Sequence, residues 1–489
     1  MRETGTQVVI AGAGPVGLML ACELRRARVT VVIVERLASP MTESRASQIS
    51  TLTAEILHER GFDSLLDEAV LEPRAHFAGL LFELSDLDSD YAGNWKVPQY
   101  RTESVLGLHA ERLGATLLRA HELTEIRTSE DHVVCRVHGP AEDICIRAQY
   151  VVGCDGAQST VRRLCGFTSS VTSATKELLR ADVTGIEIPD RRFERLEGGF
   201  AAASTRGGVT RVMVHPFGQE MAERTGPPRF PEVARRWEKV TGEDISGGNA
   251  IWVDAFDDAR GLVDCYRQGR VLLAGDAAHW YMPIGGQALN VGLQDAVNLG
   301  WKLAGLVNGW APSQLLDTYH SERHPVAARV LDYVAAQEIL LLSGGEIEPL
   351  RAVLAELIGL DQVRRHMARV VSGLDDRYGA YDSPLAGRRV PNVKLRNESG
   401  SVITAGLLTG TEPVIVRLSP AVNGAAEAVA LPAGFRIRTI HAVPEPPDSF
   451  LGIETILVRP DGYIAWAGNN DAELSRAIEE WFGMSVMVR

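Results

Sequence analysis

Six cysteines are all that the 489 residues contain, and no two of them form a CxxC pair. Cys22, Cys135, Cys145, Cys154, Cys165 and Cys265 lie far apart, which excludes a zinc ribbon and a CxxC redox centre and fits reduced core thiols. Long apolar runs are lacking too, since no stretch approaches the ~20 residues that cross a bilayer. Positive charge is in deficit, with 50 Lys and Arg against 63 Asp and Glu. The net charge of -13 argues against nucleic acid and anionic membranes as partners. Residues 1–6 are polar and run straight into a strand pattern, so no targeting segment is expected and the expected location is cytoplasmic. What remains is an ordinary globular composition, 45% hydrophobic and 23% charged, in a chain long enough for two to three domains.

The N-terminus carries the strongest local pattern. Residues 7–11 read as an apolar strand, Gly12-Ala-Gly14-Pro15-Val-Gly17 follows, then a helix to about Ala27 and a second strand over 29–34 that ends at Glu35. This is the GxGxxG fingerprint in its full strand, turn, helix, strand, acid context, which marks a dinucleotide site. Gly12 makes the turn, Gly14 admits a pyrophosphate, Gly17 allows close helix–strand contact, and Glu35 can accept hydrogen bonds from a ribose. The pattern does not choose between NAD and FAD. Arg28 stands where a glycine usually ends such a helix. A left-handed Arg costs about 1 kcal/mol, which predicts a turn built some other way.

A second organising stretch is Val271-Leu-Leu-Ala-Gly-Asp276-Ala-Ala-His279. The apolar run reads as a buried strand with Asp276 at its C-terminal end, where open α/β sheets place ligands. Pro283, Gly285 and Gly286 precede a long helical pattern that starts near Gln287. Two glycines before a helix leave backbone N–H groups open to a ligand at the helix's positive end. An acid, a glycine loop and a helix start suit a flavin, with its polyol arm and anion-forming ring. His279 and Tyr281 are the only candidate proton-transfer residues nearby, and no Ser–His–Asp or metal set competes with them. His320 and His324 have metal-ligand spacing but no third ligand, so helix packing is expected.

Between these stretches, Arg45 can reach cofactor phosphates, Gln99 can meet a ring edge, and Asp155-Gly156 follows a strand. Residues 126–137 and 144–152 alternate like paired strands. From about 174 to 266 the pattern turns β-rich, with strands over 178–188, 198–203, 209–214 and 250–256. This insert can roof a substrate pocket, with Phe193, Phe200, Met213, Phe217, Trp237, Trp252 and Phe256 as candidate lining. One helix is expected to end at Tyr319-His-Ser-Glu-Arg-His324-Pro325 and another to fill 326–342. From about Leu395 a small α/β unit begins, with strands over 414–418, 436–440, 455–458 and 463–466 and a helix over 471–482. Its order of strands and turns is like thioredoxin, but it holds no cysteine.

With these pieces assembled, the chain resembles the class A flavoprotein monooxygenases, the fold of para-hydroxybenzoate hydroxylase. Within them it looks most like the hydroxylases of angucycline and anthracycline polyketides and the related rifampicin monooxygenases. The carrying motifs are the Gly12–Gly17 turn, Ser44-Arg45-Ala46, Val97-Pro98-Gln99, Gly153-Cys-Asp155-Gly156, Gly275-Asp276-Ala-Ala-His279, Pro283-Ile-Gly285-Gly286-Gln287 and the Tyr319–Pro325 segment. The resemblance implies an α/β protein with a Rossmann-like GR2-type FAD-binding domain over 1–173 and 267–394. It also implies a β-sheet substrate domain over 174–266, with contributions from 75–101, and a thioredoxin-like C-terminal domain over 395–489. It implies FAD contacts at Gly12, Gly14, Pro15, Gly17, Glu35, Arg36, Arg45, Gln99, Leu123, Asp155, Gly156, Asp276, Pro283, Gly285, Gly286, Ala288, Leu289 and Asn290.

The implied reaction uses FAD, NADPH and O2 to insert one oxygen atom into a polycyclic aromatic polyketide through a flavin C4a-hydroperoxide, in a monomer or homodimer. Baeyer–Villiger oxygenation, antibiotic inactivation and a non-catalytic FAD-binding role are the alternatives. Two residues depart from the family pattern: Ala288 replaces a glycine, and Leu52 replaces an arginine. A tryptophan halogenase is disfavoured because Trp95-Lys-Val-Pro98 lacks that family's second tryptophan.

Overall fold

A computed structural model describes residues 2–42, 46–221, 224, 226–397, 400–408, 410–419, 428–430 and 436–483. A six-stranded sheet organises the first part of the fold. Its order is Arg267–Gln268, Val271–Leu273, Tyr150–Gly153, Val8–Ala11, Val31–Glu35 and Thr116–Arg119, and all pairs but the first are parallel. Parallel strands buried on both faces read as continuous apolar runs, and Val8–Ala11 is buried at every position. The helices Pro15–Arg26 and Ala288–Val307 lie against each other beside this sheet. The strand ends at Gly12, Gly153 and Gly275 thereby come to one edge.

The turn after the first helix is left-handed, contrary to the expectation at Arg28, whose φ is +63°. Arg28 N–H donates to Arg25 O and Val29 N–H to Leu24 O, both at 2.9 Å. These paired bonds satisfy the helix's last carbonyls and offset a cost of about 1 kcal/mol. Residues 126–137 are not one strand. Glu122–Thr128 and Val133–His138 form a hairpin, because the polar turn at 129–132 closes it. Likewise 144–152 divides. Ile144–Ala148 joins the hairpin's sheet, and Tyr150–Gly153 joins the parallel one.

The β-rich insert is a five-stranded antiparallel sheet in the order Arg191–Leu196, Gly199–Arg206, Val209–Pro216, Glu177–Thr184 and Asn249–Asp257. Strand alternation gives it two faces. Leu179, Ala181 and Val183 point to an outer cluster with Trp237 of the helix Phe230–Thr241. Trp237 is wholly buried there, so it is core and not pocket lining. The strand Arg191–Leu196 and the helix around Trp237 were not legible in the sequence. Leu178, Phe200 and Ala202 point the other way, into a cluster with Met282, Ile284, Phe77 and Phe82.

One helix, Asp317–Leu342, runs through Pro325, where two were expected. Proline in a helix interior costs about 3 kcal/mol. Burial of Tyr319, Glu322 and Arg323 on the turn before it and of Val326 and Ala327 after it holds the axis together. The helices Glu348–Ile358 and Asp361–Ser372 follow.

The C-terminal part has the sheet order Ala428–Ala430, Arg436–His441, Val414–Arg417, Thr455–Val458 and Ile464–Gly468, with the helix Asp471–Phe482. It is fastened by Trp301, which shares a cluster with Leu457, Ile478 and Phe482. A buried polar group joins it there. Glu322 Oε2 accepts from Lys302 Nζ at 2.7 Å, Asn298 Nδ2 at 2.7 Å and Arg459 Nη2 at 2.9 Å, and Arg459 also pairs with Asp461. Two cations and two anions balance, which is the condition for burying them.

Candidate active site

The N-terminal turn is shaped by contacts that only glycine permits. A Cβ on Gly12, whose φ is +102°, would lie 2.4 Å from Cys154 O, and one on Gly17 would lie 2.1 Å from Gly12 O. Gly14 faces open space, and the helix it precedes has no side-chain cap. Its first N–H groups therefore stay available to an anion. Glu35 Oε2 accepts from Ala13 N–H and Oε1 from Leu37 N–H, both at 2.8 Å. Each oxygen keeps a lone pair for a ribose hydroxyl. Pro15 is buried, Arg36 is exposed, and Leu123 is buried in the core, so only its backbone can meet a ligand.

The second strand end is held from behind. Asp276 is exposed on the turn Gly275–Ala277. Beneath it, Asp295 Oδ2 accepts from Gly275 N–H at 3.1 Å and His279 Nε2–H at 2.7 Å, while Oδ1 accepts from Arg323 Nε at 2.7 Å. Arg323 Nη2 also donates to Val291 O at 3.1 Å, and Tyr319 Oη donates to Leu273 O at 2.9 Å. Burial alone pushes the Asp295 carboxyl up, but Arg323 and His279 outweigh it and bring it below the usual range. His279 thus stands in the core, with its ring stacked near those of Tyr266 and Tyr281. His279 Nδ1 and Tyr281 Oη are buried without a protein partner among the described residues. Asp295 and Arg323 stand out only in three dimensions, although both belong to segments whose motifs are visible in the sequence.

The glycine loop follows. Gly285 and Gly286 have φ of +76° and +67°, which leads the chain into the helix Ala288–Val307. Ala288, Leu289 and Asn290 are its first residues, and their N–H groups precede the first intrahelical bond from Val291 N–H to Gln287 O at 3.0 Å. Pro283 is exposed, and Ala288 is half-buried. Asn290 Oδ1 accepts from Ser50 N–H at 2.8 Å, and Nδ2 donates to Gly286 O at 2.9 Å and Gln48 O at 3.1 Å. Its side chain therefore braces the loop against residues 48–50. Gln99 does similar work, since Oε1 accepts from Ala46 N–H at 3.0 Å and Gln99 N–H donates back to Ala46 O. Arg45 itself lies outside the described residues. A small cleft opens beside this loop, lined in part by Gln287, Asn290, Val330 and Tyr333.

Asp155 caps the helix Thr160–Leu164. Its Oδ2 accepts from Thr160 N–H at 2.7 Å and Val161 N–H at 3.0 Å. Gly156 beside it is left-handed and faces open space. Leu52, the second family departure, is wholly buried against Gly373. All six cysteines are free, and burial pushes the Cys135 thiol up to about 12 and those of Cys22 and Cys154 well above the ordinary range. His320 and His324 rest against the Tyr266 ring, and the described residues hold no metal-binding cluster. No helix among them is long and apolar enough to cross a membrane.

The uncapped helix start at Gly14, the acid at Glu35, the exposed acid at Asp276 and the left-handed glycine pair converge from the ends of parallel strands. That donor and acceptor set fits FAD, whose pyrophosphate needs the first helix start, whose ribose needs an acid and whose ring needs a flat loop. Comparison with known proteins agrees. Residues 5–334 match a family model described as an FAD binding domain, and 383–485 match an aromatic-ring hydroxylase C-terminal model. The chain is 37% identical over 499 residues to the 12-dehydrotetracycline 5-monooxygenase/anhydrotetracycline 6-monooxygenase of Streptomyces rimosus, covering 98% of this chain and 99% of that protein. It is 36% identical over 503 residues to a rifampicin monooxygenase of Streptomyces venezuelae, covering 97% and 98%. The solved structure of CabE, an aromatic hydroxylase from angucycline biosynthesis, is 42% identical with a TM-score of 0.92, over 99% of this chain and 100% of that one. The sheet, its ligand edge and these matches together make the chain a member of the class A FAD-dependent aromatic-ring monooxygenases, related to the angucycline and tetracycline hydroxylases.

Proposed function

We propose that this enzyme hydroxylates a polycyclic aromatic polyketide, held between the antiparallel roof sheet and the glycine loop, with NADPH and O2 as co-substrates. One observation carries the placement. Leu178, Phe200 and Ala202 of the roof share an apolar cluster with Met282 and Ile284 of the loop. A flat ring system that enters there meets aromatic and apolar walls and little water. Arg180 adds a cation to the same face, with its guanidinium 4.3 Å from the Trp252 ring centroid and 4.5 Å from that of Phe256. Such a cation favours an electron-rich, partly ionised phenol.

Gly12, Gly14, Gly17, Glu35, Gln99, Asp276, Gly285, Gly286, Ala288, Leu289 and Asn290 are the residues we assign to FAD, by backbone or side chain. Bound FAD supplies the redox chemistry, taking a hydride from NADPH and activating O2. The protein supplies position, dryness and charge. The N–H groups of the helix Ala288–Val307 put its positive end at the loop, where negative charge is stabilised. Exclusion of water by the roof protects the oxygen-transfer step. The cysteine-free C-terminal unit, with its mixed five-stranded sheet and final helix, we read as thioredoxin-like, with a packing role at Trp301 and Glu322.

The test is substrate-dependent NADPH oxidation across a panel of polycyclic phenols, with product mass. One added oxygen on an aromatic ring is expected. An oxygen inserted as a lactone, or no turnover on any panel member, overturns the hydroxylase reading.

A further inference from the structure

The inner face of the roof sheet changes character along its length. Register places Leu178 opposite Phe256, Arg180 opposite Asp254 and Asp182 opposite Trp252. One step nearer the root of the sheet, Asp258 N–H donates to Lys176 O at 3.1 Å. There the long helix Asp317–Leu342 presents Glu338, which is 3% exposed. Glu338 Oε2 accepts from Arg260 Nη1 at 3.1 Å, whereas Oε1 is buried with no partner among the described residues.

Arg260 precedes Gly261, which is paired with Trp280, one residue from Tyr281. On the helix, Gln337 precedes Glu338. Its amide lies within 3.5 Å of where a Cβ on Gly285 would stand. Gln337 Oε1 accepts from Ala78 N–H at 3.1 Å. The unpartnered oxygen therefore belongs to a carboxyl set between the root of the roof and the glycine loop. Leaving a buried acceptor without a donor carries a desolvation cost, so one that persists points to a ligand or a function.

We propose that Glu338 is the proton-exchange partner of an acidic hydroxyl on the substrate, a phenol or enol of a polycyclic aromatic, with Oε1 as the atom that meets it. This rests on the substrate site proposed above. The substrate O–H bond breaks, the Oε1–H bond forms, and the electron pair stays on the substrate oxygen. One negative charge passes from Glu338 to the ring oxygen, where it enriches the carbon to be oxygenated, and the proton returns after oxygenation. The groups that face Glu338 suit this exchange. Burial pushes its carboxyl up to about 7, with Asp258 adding to the rise and Arg260 and Lys176 opposing it. Asp258 is itself held by Thr175 Oγ1 at 2.7 Å and Lys176 N–H at 2.8 Å.

The test uses the FAD-loaded enzyme and a dihydroxyanthraquinone as probe, with Kd measured by titration calorimetry as a function of pH. Binding to the wild type tightens about tenfold between about pH 6 and about pH 8 as Glu338 ionises and becomes an acceptor. Glu338→Gln removes that rise, with flavin absorption and melting temperature as controls on the fold. Arg260→Gln moves the rise to higher pH, because loss of the cation raises the carboxyl's pKa. A wild type that binds the probe with no pH dependence, or a Glu338→Gln variant that keeps the tenfold rise, overturns the role of Glu338 and leaves the substrate site standing. A wild type that binds no probe overturns both.

Discussion

Arg323 Nε donates to Asp295 Oδ1 at 2.7 Å, and neither side chain meets solvent. The pair does more than neutralise itself. Asp295 holds Gly275 N–H, and Arg323 holds Val291 O and Tyr378 Oη. The turn that presents Asp276 and the first turn of the glycine-loop helix are thus fixed to one clamp on the long helix. The spacing of these two segments depends on it.

Arg323→Met should cost about 3–5 kcal/mol of stability, because it leaves Asp295 buried without its guanidinium partner. Urea unfolding monitored by circular dichroism measures this. A midpoint equal to that of the wild type would show that the clamp contributes nothing.

Acid should act through Glu322. Burial pushes this carboxyl up, but Arg459 and Lys302 outweigh it and hold it at about 2. A folded pKa below the unfolded one gives stability that is fully present above about pH 4.5 and lost as pH falls through about 2. Unfolding free energy measured against pH should therefore fall across that window. Glu322→Gln should be less stable at neutral pH and show a shallower fall. Equal slopes in the two proteins would contradict the assignment.

Asp276→Ala should lower FAD affinity about tenfold or more, the worth of one hydrogen bond to a charged group. Cys154→Ser should leave it nearly unchanged, because Cys154 is buried and its backbone carbonyl, not its thiol, is what crowds Gly12. FAD titration of the apoproteins compares them, and equal retention in both variants would refute the role given to Asp276.

Ala288→Gly should affect the flavin's mobility more than its binding. Ala288 opens the helix with only Gln287 between it and the left-handed pair Gly285–Gly286, and a glycine there loosens the backbone at a cost of up to about 1 kcal/mol. Stopped-flow reduction by NADPH with substrate bound should be faster, while FAD affinity stays the same. An unchanged reduction rate, or a large shift in FAD affinity, would count against a gating role for this loop.

The sequence by itself determined the elements whose signals are local. The Gly12–Glu35 unit was legible because a tight turn, a close approach to a phosphate and an acid at a strand end each demand a particular residue at a fixed spacing. Asp276 and the glycine pair were legible for the same reason, as was the final helix, expected over 471–482 and found as Asp471–Phe482. What only the tertiary structure decided was which polar groups meet across distant segments. Asp295 joins Arg323 from another helix, Asn290 spends its amide on backbone groups of residues 48, 50 and 286, Gln99 divides its own between Ala46 N–H and the Glu103 carboxylate, and Asp155 caps a helix. Trp237 went to the outer face of the roof because a helix that the sequence did not announce covers that face. The long helix kept its course through Pro325 because buried contacts on both sides outweigh a local penalty. Spacing along a chain records what one turn or one strand end requires. The partner of a buried charge is set by how separate elements come together, and no local pattern encodes that.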